Sequence, residues 1–397
     1  MKIALVAQHA APVPGATASE AGDDIRVREL GRALAARGHS VTVYVQKPDP
    51  AVPDGAELHP GVRVAYLGPA TTGRDDTELL ARVPDFAASL RDHLERERPD
   101  VVHALRWTSG LAALAATRDL AIPVVQSFNS LGVAERRHHL IPESASVKRI
   151  RLESAIGRGV SAVLAGSSGE ESDLARLGVC RRSIKVIPFG VDTEQFAQEG
   201  PTAKRGERSR LVTVTELDCY EEISTLLKAI ARVPSAELVV VGGPARDELA
   251  DDPAHRKLAS LASALGVADR VVFTGRLDRA ALPALLRSAD LFVSTAEYDP
   301  TGMASLEAMA CGTPVVATAV GGQVDAIVDG TTGLLVPPRR PAMLAQRIRQ
   351  LLGHPMLLEA FSVAAADRAR SRYSWDRIAH ETLAVYDSVA ETVPLAA

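Results

Sequence analysis

The sequence contains few cysteines and no long apolar run. Three cysteines, Cys180, Cys219 and Cys311, lie far apart among 397 residues, without the spacing of metal ligands. This sparse and odd cysteine content excludes a disulfide framework and is typical of a reducing compartment. No segment approaches the roughly 20 apolar residues that a membrane span needs. The apolar run near Met1 covers only about six residues, so we expect a first buried strand, no signal peptide and a cytoplasmic protein.

The charge is nearly balanced, and no long tract of basic residues is present. Lysine and arginine number 45 against 49 aspartates and glutamates, which gives a net charge of −4. We therefore predict no nucleic-acid partner. The basic residues 136–139 form a short cluster, which we interpret as a solvated loop rather than a phosphate-binding patch. The ten histidines show no pairing typical of metal ligands.

Short runs rich in β-branched residues alternate with helix-length segments along the chain. Runs such as KIALVA, SVTVYV and DVVHA are mostly apolar, which is typical of parallel strands buried on both faces. The rhythm restarts after the polar residues 197–210, which we interpret as a linker. The chain is therefore predicted to form two doubly wound α/β domains of roughly 190 residues each. Neither contains G-x-G-x-x-G or a P-loop, so an oxidoreductase or an NTPase has little support.

The expected N-terminal domain covers residues 1–187. We expect residues 374–397 to return to this domain, because the last helical stretch has no strand after it. The expected C-terminal domain covers residues 188–373. Ligands of open α/β sheets bind beyond the carboxyl ends of the strands. Two such Rossmann-like domains facing each other predict a central cleft with one substrate on each wall.

The segment DPTGMASLEAMACGTPVVAT, residues 299–318, resembles the donor-site signature of the retaining GT-B glycosyltransferases. This family includes sucrose synthases, phosphatidylinositol mannosyltransferases and the mycothiol-pathway N-acetylglucosaminyltransferase. The strings RGHSVTV, VIPFGVD and VGGQVDAIVDGTTGLLVPP support the resemblance in the right order along the chain. It implies a nucleotide sugar as donor and a small molecule as acceptor. The segment lacks the Asp-x-Asp pattern of metal-dependent transferases, so the resemblance implies no metal and no other cofactor.

The resemblance assigns donor-binding roles to residues of the second domain. Glu307 would accept hydrogen bonds from the ribose hydroxyls, and Asp299 would face hydroxyls of the transferred sugar. The amides that open the next helix would point at phosphate, as helix N-termini do. The remaining positions would lie near the base and the diphosphate. The donor-binding set is thus Gly22, Glu216, Glu221, Gly242, Gly243, Arg276, Thr301, Gly302, Met303, Ala304 and Glu307.

Several of these positions depart from the family's pattern. Glu216 and Glu221 stand where the family has an arginine and a lysine that bind the diphosphate, which inverts the charge twice. Preorganised cations are the main means of stabilising such a leaving group. Asn129 stands where the family has a histidine that contacts the transferred sugar, and Asp299 replaces a glutamate. We take Asn129, Asp299 and Glu307 as the candidate catalytic residues.

The acceptor side is also altered. The family's paired glycines are reduced to Gly22, which Asp23 and Asp24 follow, and Arg106 replaces a tyrosine. We take Asp23, Asp24 and Arg106 as candidate acceptor-binding residues, although Arg106 could equally be a surface residue. Three interpretations stay open. The first is a retuned glycosyltransferase of specialised metabolism, the second an inactive binding partner, and the third an enzyme using a non-nucleotide glycoside. A homodimer is possible in each.

Overall fold

The chain forms two α/β units. The structure is a computed structural model that describes residues 1–10, 22–71 and 75–391. Unit 1 combines Met1–Phe189 with Trp375–Ala397, and unit 2 is Gly190–Ser374. These bounds lie within two residues of those expected from the sequence. No helix in the described ranges is long and apolar enough to span a membrane.

Unit 1 is built on an eight-stranded sheet with the order β3-β4-β2-β1-β5-β6-β7-β8. Its strands are β1 Lys2–Val6, β2 Ser40–Gln46, β3 Gly55–His59, β4 Val62–Leu67, β5 Val101–Leu105, β6 Val124–Ser127, β7 Ala162–Ala165 and β8 Ile184–Val186. All neighbours are parallel except the edge pair β3 and β4. Strand order reverses between β1 and β5, which makes this pair the topological switch point.

The helices of unit 1 cover both faces of this sheet. They are α1 Gly22–Ala36, α2 Asp76–Glu97, α3 Trp107–Ala116, α4 Gly132–Arg137, α5 Glu143–Gly159 and α6 Ser168–Arg176. Because both faces are covered, β5 is buried along its whole length. This burial explains why its sequence is continuously apolar apart from one histidine.

Unit 2 has a fully parallel six-stranded sheet with the order β11-β10-β9-β12-β13-β14. Its strands are β9 Ser209–Val214, β10 Ala236–Val241, β11 Val271–Gly275, β12 Leu291–Ser294, β13 Val315–Thr318 and β14 Gly333–Val336. Its helices are α7 Tyr220–Ile230, α8 Pro253–Ala264, α9 Leu282–Arg287, α10 Met303–Ala310, α11 Gly321–Ala326, α12 Pro341–Leu352 and α13 Pro355–Tyr373. Its switch point lies between β9 and β12.

The last helix, α14 Trp375–Ala390, belongs to unit 1 and packs against α1. The ring of Trp375 meets Phe189 edge to face at 5.2 Å. The hydroxyl of Tyr386 lies 2.6 Å from Nδ1 of His103 in the middle of β5. The carboxyl-terminal helix is therefore tied to the centre of the unit 1 sheet by a buried hydrogen bond.

The expectation that residues 197–210 form a linker is wrong. These residues lie inside unit 2, and the last two belong to β9. Arg287 donates to the carbonyls of Pro201 and Ala197, and Arg205 forms a 2.8 Å ion pair with Asp290. The polar composition that indicated a linker instead reflects hydrogen bonds that hold an irregular segment on the surface of the unit.

Candidate active site

The carboxyl ends of β9 and β12 place a group of carboxylates at the switch point of unit 2. Glu216 follows β9 and accepts a 3.3 Å hydrogen bond from the amide of Gly243. Glu297 follows β12, and its amide donates to Glu222 at 2.9 Å. Burial raises the pKa of Glu222 above its ordinary value, and nearby carboxylates add to that rise. Glu221 lies beside Glu222 in the first, exposed turn of α7.

One arginine offsets part of this negative charge. Both oxygens of Glu297 accept from the guanidinium of Arg339, so this cation is already paired. Glu221 adds to the field that raises the pKa of Arg339. The described residues at this switch point thus carry more carboxylates than cations. Glu216 and Glu221 contribute two of these carboxylates, and their role towards a diphosphate stays a prediction.

Glu307 is buried in α10 and carries the strongest signal for a ligand. Its side chain is only 3% exposed, and one carboxylate oxygen, Oε1, pairs with the guanidinium of Arg279. The other oxygen, Oε2, has no hydrogen-bond partner in the described part of the chain. Burial raises the pKa of Glu307, Arg279 opposes that rise, and Asp192 adds to it. Arg279 also lies 5.0 Å from the ring centroid of Phe196, which fixes its position.

The carboxylate of Asp299 accepts hydrogen bonds from backbone amides that were expected to bind phosphate. Its Oδ1 accepts from the amide of Gly302 at 2.7 Å and from the amide of Thr301 at 3.1 Å. Its Oδ2 accepts from the side chain of Gln323 at 2.8 Å. The aspartate therefore occupies the turn before α10, because its side chain is one methylene shorter than glutamate and reaches its own backbone. The expectation that the Thr301 and Gly302 amides face phosphate is not met in this arrangement.

The turn formed by Asp299 also leads into the N-terminus of α10. Gly302 has φ +67°, a left-handed conformation that favours glycine. The amide of Met303 lies 3.3 Å from the hydroxyl of Thr301. The amides of Met303 and Ala304 lie in the first helical turn, where N–H groups have no intrahelical partner. Ala304 therefore keeps a donor at this end of α10.

The loops after β10 and β11 are held together by backbone contacts. A Cβ on Gly242 would lie 2.0 Å from the carbonyl oxygen of Thr215, so only glycine allows this approach. Gly243 follows it and carries the amide that meets Glu216. The amide of Arg276 donates to the carbonyl of Pro244 at 2.9 Å. The Arg276 side chain is exposed and forms no ion pair with a described residue.

In unit 1, Arg106 directly follows β5 at the switch point and is ion-paired. It has φ +69°, which is uncommon for a residue with a side chain and marks candidate functional positions. Its guanidinium donates to Asp76 Oδ1 at 3.0 Å. The second oxygen of Asp76 accepts from the indole of Trp107 at 3.0 Å and from Arg149 at 3.2 Å.

Asn129 follows β6 and also has a positive φ, +63°. Its Oδ1 accepts from the guanidinium of Arg26 at 2.7 Å. Because an arginine only donates, this contact fixes which side of the amide carries oxygen. Arg26 is 3% exposed and helps, together with burial, to lower the pKa of His103 to about 3. The buried guanidinium of Arg26 therefore contacts Asn129, at the position where the family has a histidine.

A buried carboxyl lies close to this arginine. Glu170 in α6 accepts from the amide of Gly166 at 2.7 Å, while its other oxygen has no partner in the described ranges. Burial raises the pKa of Glu170 to about 7, and the Gly166 amide and Arg26 limit the rise.

The start of α1 contains the remaining sequence-predicted residues. Gly22 begins the helix and Asp24 lies half-buried in its first turn. The side chain of Asp23 lies outside the described residues. The described ranges contain no group of three histidine, cysteine, aspartate or glutamate side chains that could hold a metal ion.

Sequence reasoning missed Arg26, Arg279, Asp76 and Arg149. Each owes its place in the site to partners far along the chain, and none lies in a motif. The spacing of the strands could have located Asp76, which begins α2, but nothing in the sequence indicates its pairing with Arg106.

Two parallel doubly wound sheets, each with polar residues collected at its switch point, define the GT-B class of glycosyltransferases. Residues 22–195 match the family described as Glycosyltransferase Family 4. Residues 194–368 match the family described as Glycosyl transferases group 1. The chain belongs to the GT-B glycosyltransferase family, and it is a glycosyltransferase-like enzyme that acts on a sugar donor.

Its relatives are similar over their whole length. The chain is 31% identical to a D-inositol 3-phosphate glycosyltransferase of Kribbella flavida, over 99% of this chain and 96% of the relative. It is also 31% identical to the protein of the same name from Geodermatophilus obscurus, over 100% of this chain and 91% of the relative. Among solved structures, sucrose-phosphate synthase from Thermosynechococcus elongatus is 29% identical with a TM-score of 0.84. That match covers 98% of each chain.

Proposed function

We propose that this enzyme transfers a sugar from a nucleotide-linked donor to a small-molecule acceptor, with retention of anomeric configuration. The observation that supports the donor is Glu307. Its second oxygen, Oε2, accepts no hydrogen bond from the described residues and is not among their fully buried unpartnered atoms, so it is accessible to a ligand. Ribose hydroxyls are suitable donors for that oxygen, while Arg279 holds the other. The relatives' names support a small molecule as acceptor.

The substituted positions are compatible with this chemistry. In front-face retaining transfer, the leaving phosphate takes the proton of the acceptor hydroxyl as the new glycosidic bond forms. No side-chain base is needed, so the absence of histidine at Asn129 does not prevent the reaction. Arg26 polarises the Asn129 amide from behind and thereby restores part of the positive field. The cytoplasmic location and the place in specialised metabolism stay predictions from the sequence.

A second candidate follows from the carboxylates at the unit 2 switch point. Glu216 and Glu221 would repel a diphosphate, and the nearby Arg339 is paired with Glu297. This pattern favours a donor whose leaving group carries less charge, or a protein that binds without catalysing. The two candidates differ in their affinity for nucleoside diphosphates.

The test is calorimetric titration of UDP, GDP and ADP into the native protein and into Glu307→Gln. The matched control is Glu359→Gln, because Glu359 is an exposed glutamate on α13 in the same unit. We expect one nucleotide to bind the native protein and the control equally. Glu307→Gln should weaken that binding by about 1–3 kcal/mol, the cost of an unsatisfied buried group. Absence of binding by all three nucleotides would refute the nucleotide-linked donor and leave the second candidate.

A further inference from the structure

The arginines at the acceptor side of unit 1 are neutralised by carboxylates. Arg106 occupies the switch point, where ligands of such sheets bind. Its guanidinium is bound to Asp76, which also bonds Arg149 and Trp107. The carboxylate of Asp76 therefore contacts two guanidiniums and offsets the positive charge that each would present to a ligand.

Arg149 has all its donor groups engaged. Its Nε donates to Glu153 at 2.7 Å, one terminal nitrogen to Glu135 at 2.8 Å, and the other to the carbonyl of Ser130 at 3.1 Å. Its side chain is only 8% exposed. A guanidinium has five N–H donors, and those of Arg149 are distributed over acceptors of its own unit.

Among the described residues that pair with Asp76 or Arg149, positive charge is not in excess. Two guanidiniums face three carboxyls, those of Asp76, Glu135 and Glu153. Burial raises the pKa of Glu153 to about 7, while the carboxylates of Asp76 and Glu135 stay partly accessible.

Two further arginines of this region are also engaged. Arg137 pairs through both terminal nitrogens with Asp173, at 2.9 and 3.2 Å. Arg26 is 3% exposed and bonded to Asn129. A phosphate monoester, which carries about −1.5 to −2 charge at neutral pH, would meet guanidiniums that are already bonded at Arg106, Arg149, Arg137 and Arg26, together with the carboxylates that bind the first three.

We propose that the acceptor of this enzyme is an uncharged, hydroxyl-bearing compound and not a phosphorylated one. The inference rests on the proposed function, and it separates this chain from the relatives named for D-inositol 3-phosphate. Oδ1 of Asp76 and Oε2 of Glu135 each accept one hydrogen bond, from Arg106 and Arg149, and can accept a second from a hydroxyl group while these ion pairs hold them in place. Asp76 offsets the positive charge with which Arg106 and Arg149 would select a phosphate.

The experiment compares D-inositol 3-phosphate with myo-inositol as probes, titrated with and without UDP. The variants are Asp76→Asn and Glu135→Gln, each of which releases guanidinium donors. Asp54→Asn is the control, because Asp54 is an exposed carboxylate whose ion pair with Lys47 lies elsewhere in unit 1. We expect the native protein and the control to bind D-inositol 3-phosphate no better than myo-inositol. At least one of the two variants should bind D-inositol 3-phosphate about tenfold more tightly, in a salt-sensitive manner.

Two outcomes would overturn the inference. One is that the native protein prefers D-inositol 3-phosphate to myo-inositol. The other is that neither variant gains affinity for the phosphate although circular dichroism shows that both are folded. UDP binding in the same samples reports on the proposed donor separately. Loss of that signal would count against the proposed function without producing either of these results.

Discussion

Replacing Arg279 by methionine removes the cation that faces a buried carboxylate. Glu307 is 3% exposed and Arg279 is 23% exposed, so the pair is shielded from water on the glutamate side. Methionine fills similar space on the ring of Phe196 and carries no charge. The other groups that face Glu307 are Asp192, which repels it, and the neutral thiol of Cys311, which directly follows α10.

The expected loss of stability is about 2–4 kcal/mol at pH 8. Removing one partner of a fully buried pair costs about 3–5 kcal/mol, and the partial exposure of Arg279 reduces that range. The loss depends on pH because the orphaned carboxyl can take up a proton. Burial already raises the pKa of Glu307, and the loss of Arg279 raises it further. The folded variant then holds a proton that the unfolded chain releases near pH 4.3.

It follows that the variant's free energy of unfolding decreases as the pH rises above the pKa of a glutamate in the unfolded chain. The difference between native protein and variant is therefore small at pH 5 and large at pH 8. The assay is hydrogen exchange of the peptide that covers α10 at both pH values. Local exchange is preferable because a protein with two units does not unfold in one transition.

Two further variants serve as controls. Arg279→Lys keeps the charge and should recover part of the stability at pH 8. Arg208→Met breaks an exposed pair with Asp269 in the same unit and should change little at either pH. A loss in Arg279→Met that is equal at pH 5 and pH 8 would refute the reasoning, because it would indicate lost packing rather than an uncompensated charge.

Three other predictions follow from the same geometry. The double variant Glu216→Arg/Glu221→Lys should bind UDP about tenfold or more tightly than the native protein, since repulsion becomes attraction, and unchanged affinity in calorimetry would contradict the charge argument. Tyr386→Phe should destabilise unit 1 by about 1–3 kcal/mol in hydrogen exchange, because the buried ring of His103 loses its 2.6 Å partner, and an unchanged exchange rate in β5 would contradict it. Asp299→Ala should lower protection of the Thr301 and Gly302 amides, in the turn before α10, by about 0.5–1.5 kcal/mol through the loss of their hydrogen bonds, and equal protection would show that the turn forms without them.

The central strands were predictable because one factor, burial on both faces of the sheet, determines their composition. Parallel strands covered on both faces need continuous apolar runs, and β1, β2 and β5 show them. The edge strand β3 was not predicted, since GAELH is short, lacks β-branched residues and has no fully buried position. The segment 197–210 was misread because an irregular surface segment and a linker share the same polar composition. Bonds with residues of unit 2, such as those with Arg287 and Asp290, distinguish the two.

The candidate site was predictable where a motif fixed its position, and less so where pairing decides its chemistry. Glu307 and Asp299 follow from the donor signature, but the Arg279 partner of Glu307 does not. The shorter side chain of Asp299 lets it cap its own turn, an effect of one methylene that no spacing rule reports. The sequence left Arg106 open as an acceptor-binding or a surface residue, and its pairing with Asp76, 30 residues earlier, could not be predicted.

The order of synthesis gives the carboxyl-terminal helix an unusual importance. Unit 2 comes from one uninterrupted stretch, so it is complete before α14 leaves the ribosome. Unit 1 starts first and finishes last, because α1 and the ring of His103 wait for Trp375–Ala390 to cover them. Domains usually fold in the order in which they are made, and here that order is reversed. A nascent chain stopped anywhere inside unit 2 therefore displays an open apolar face on its older half.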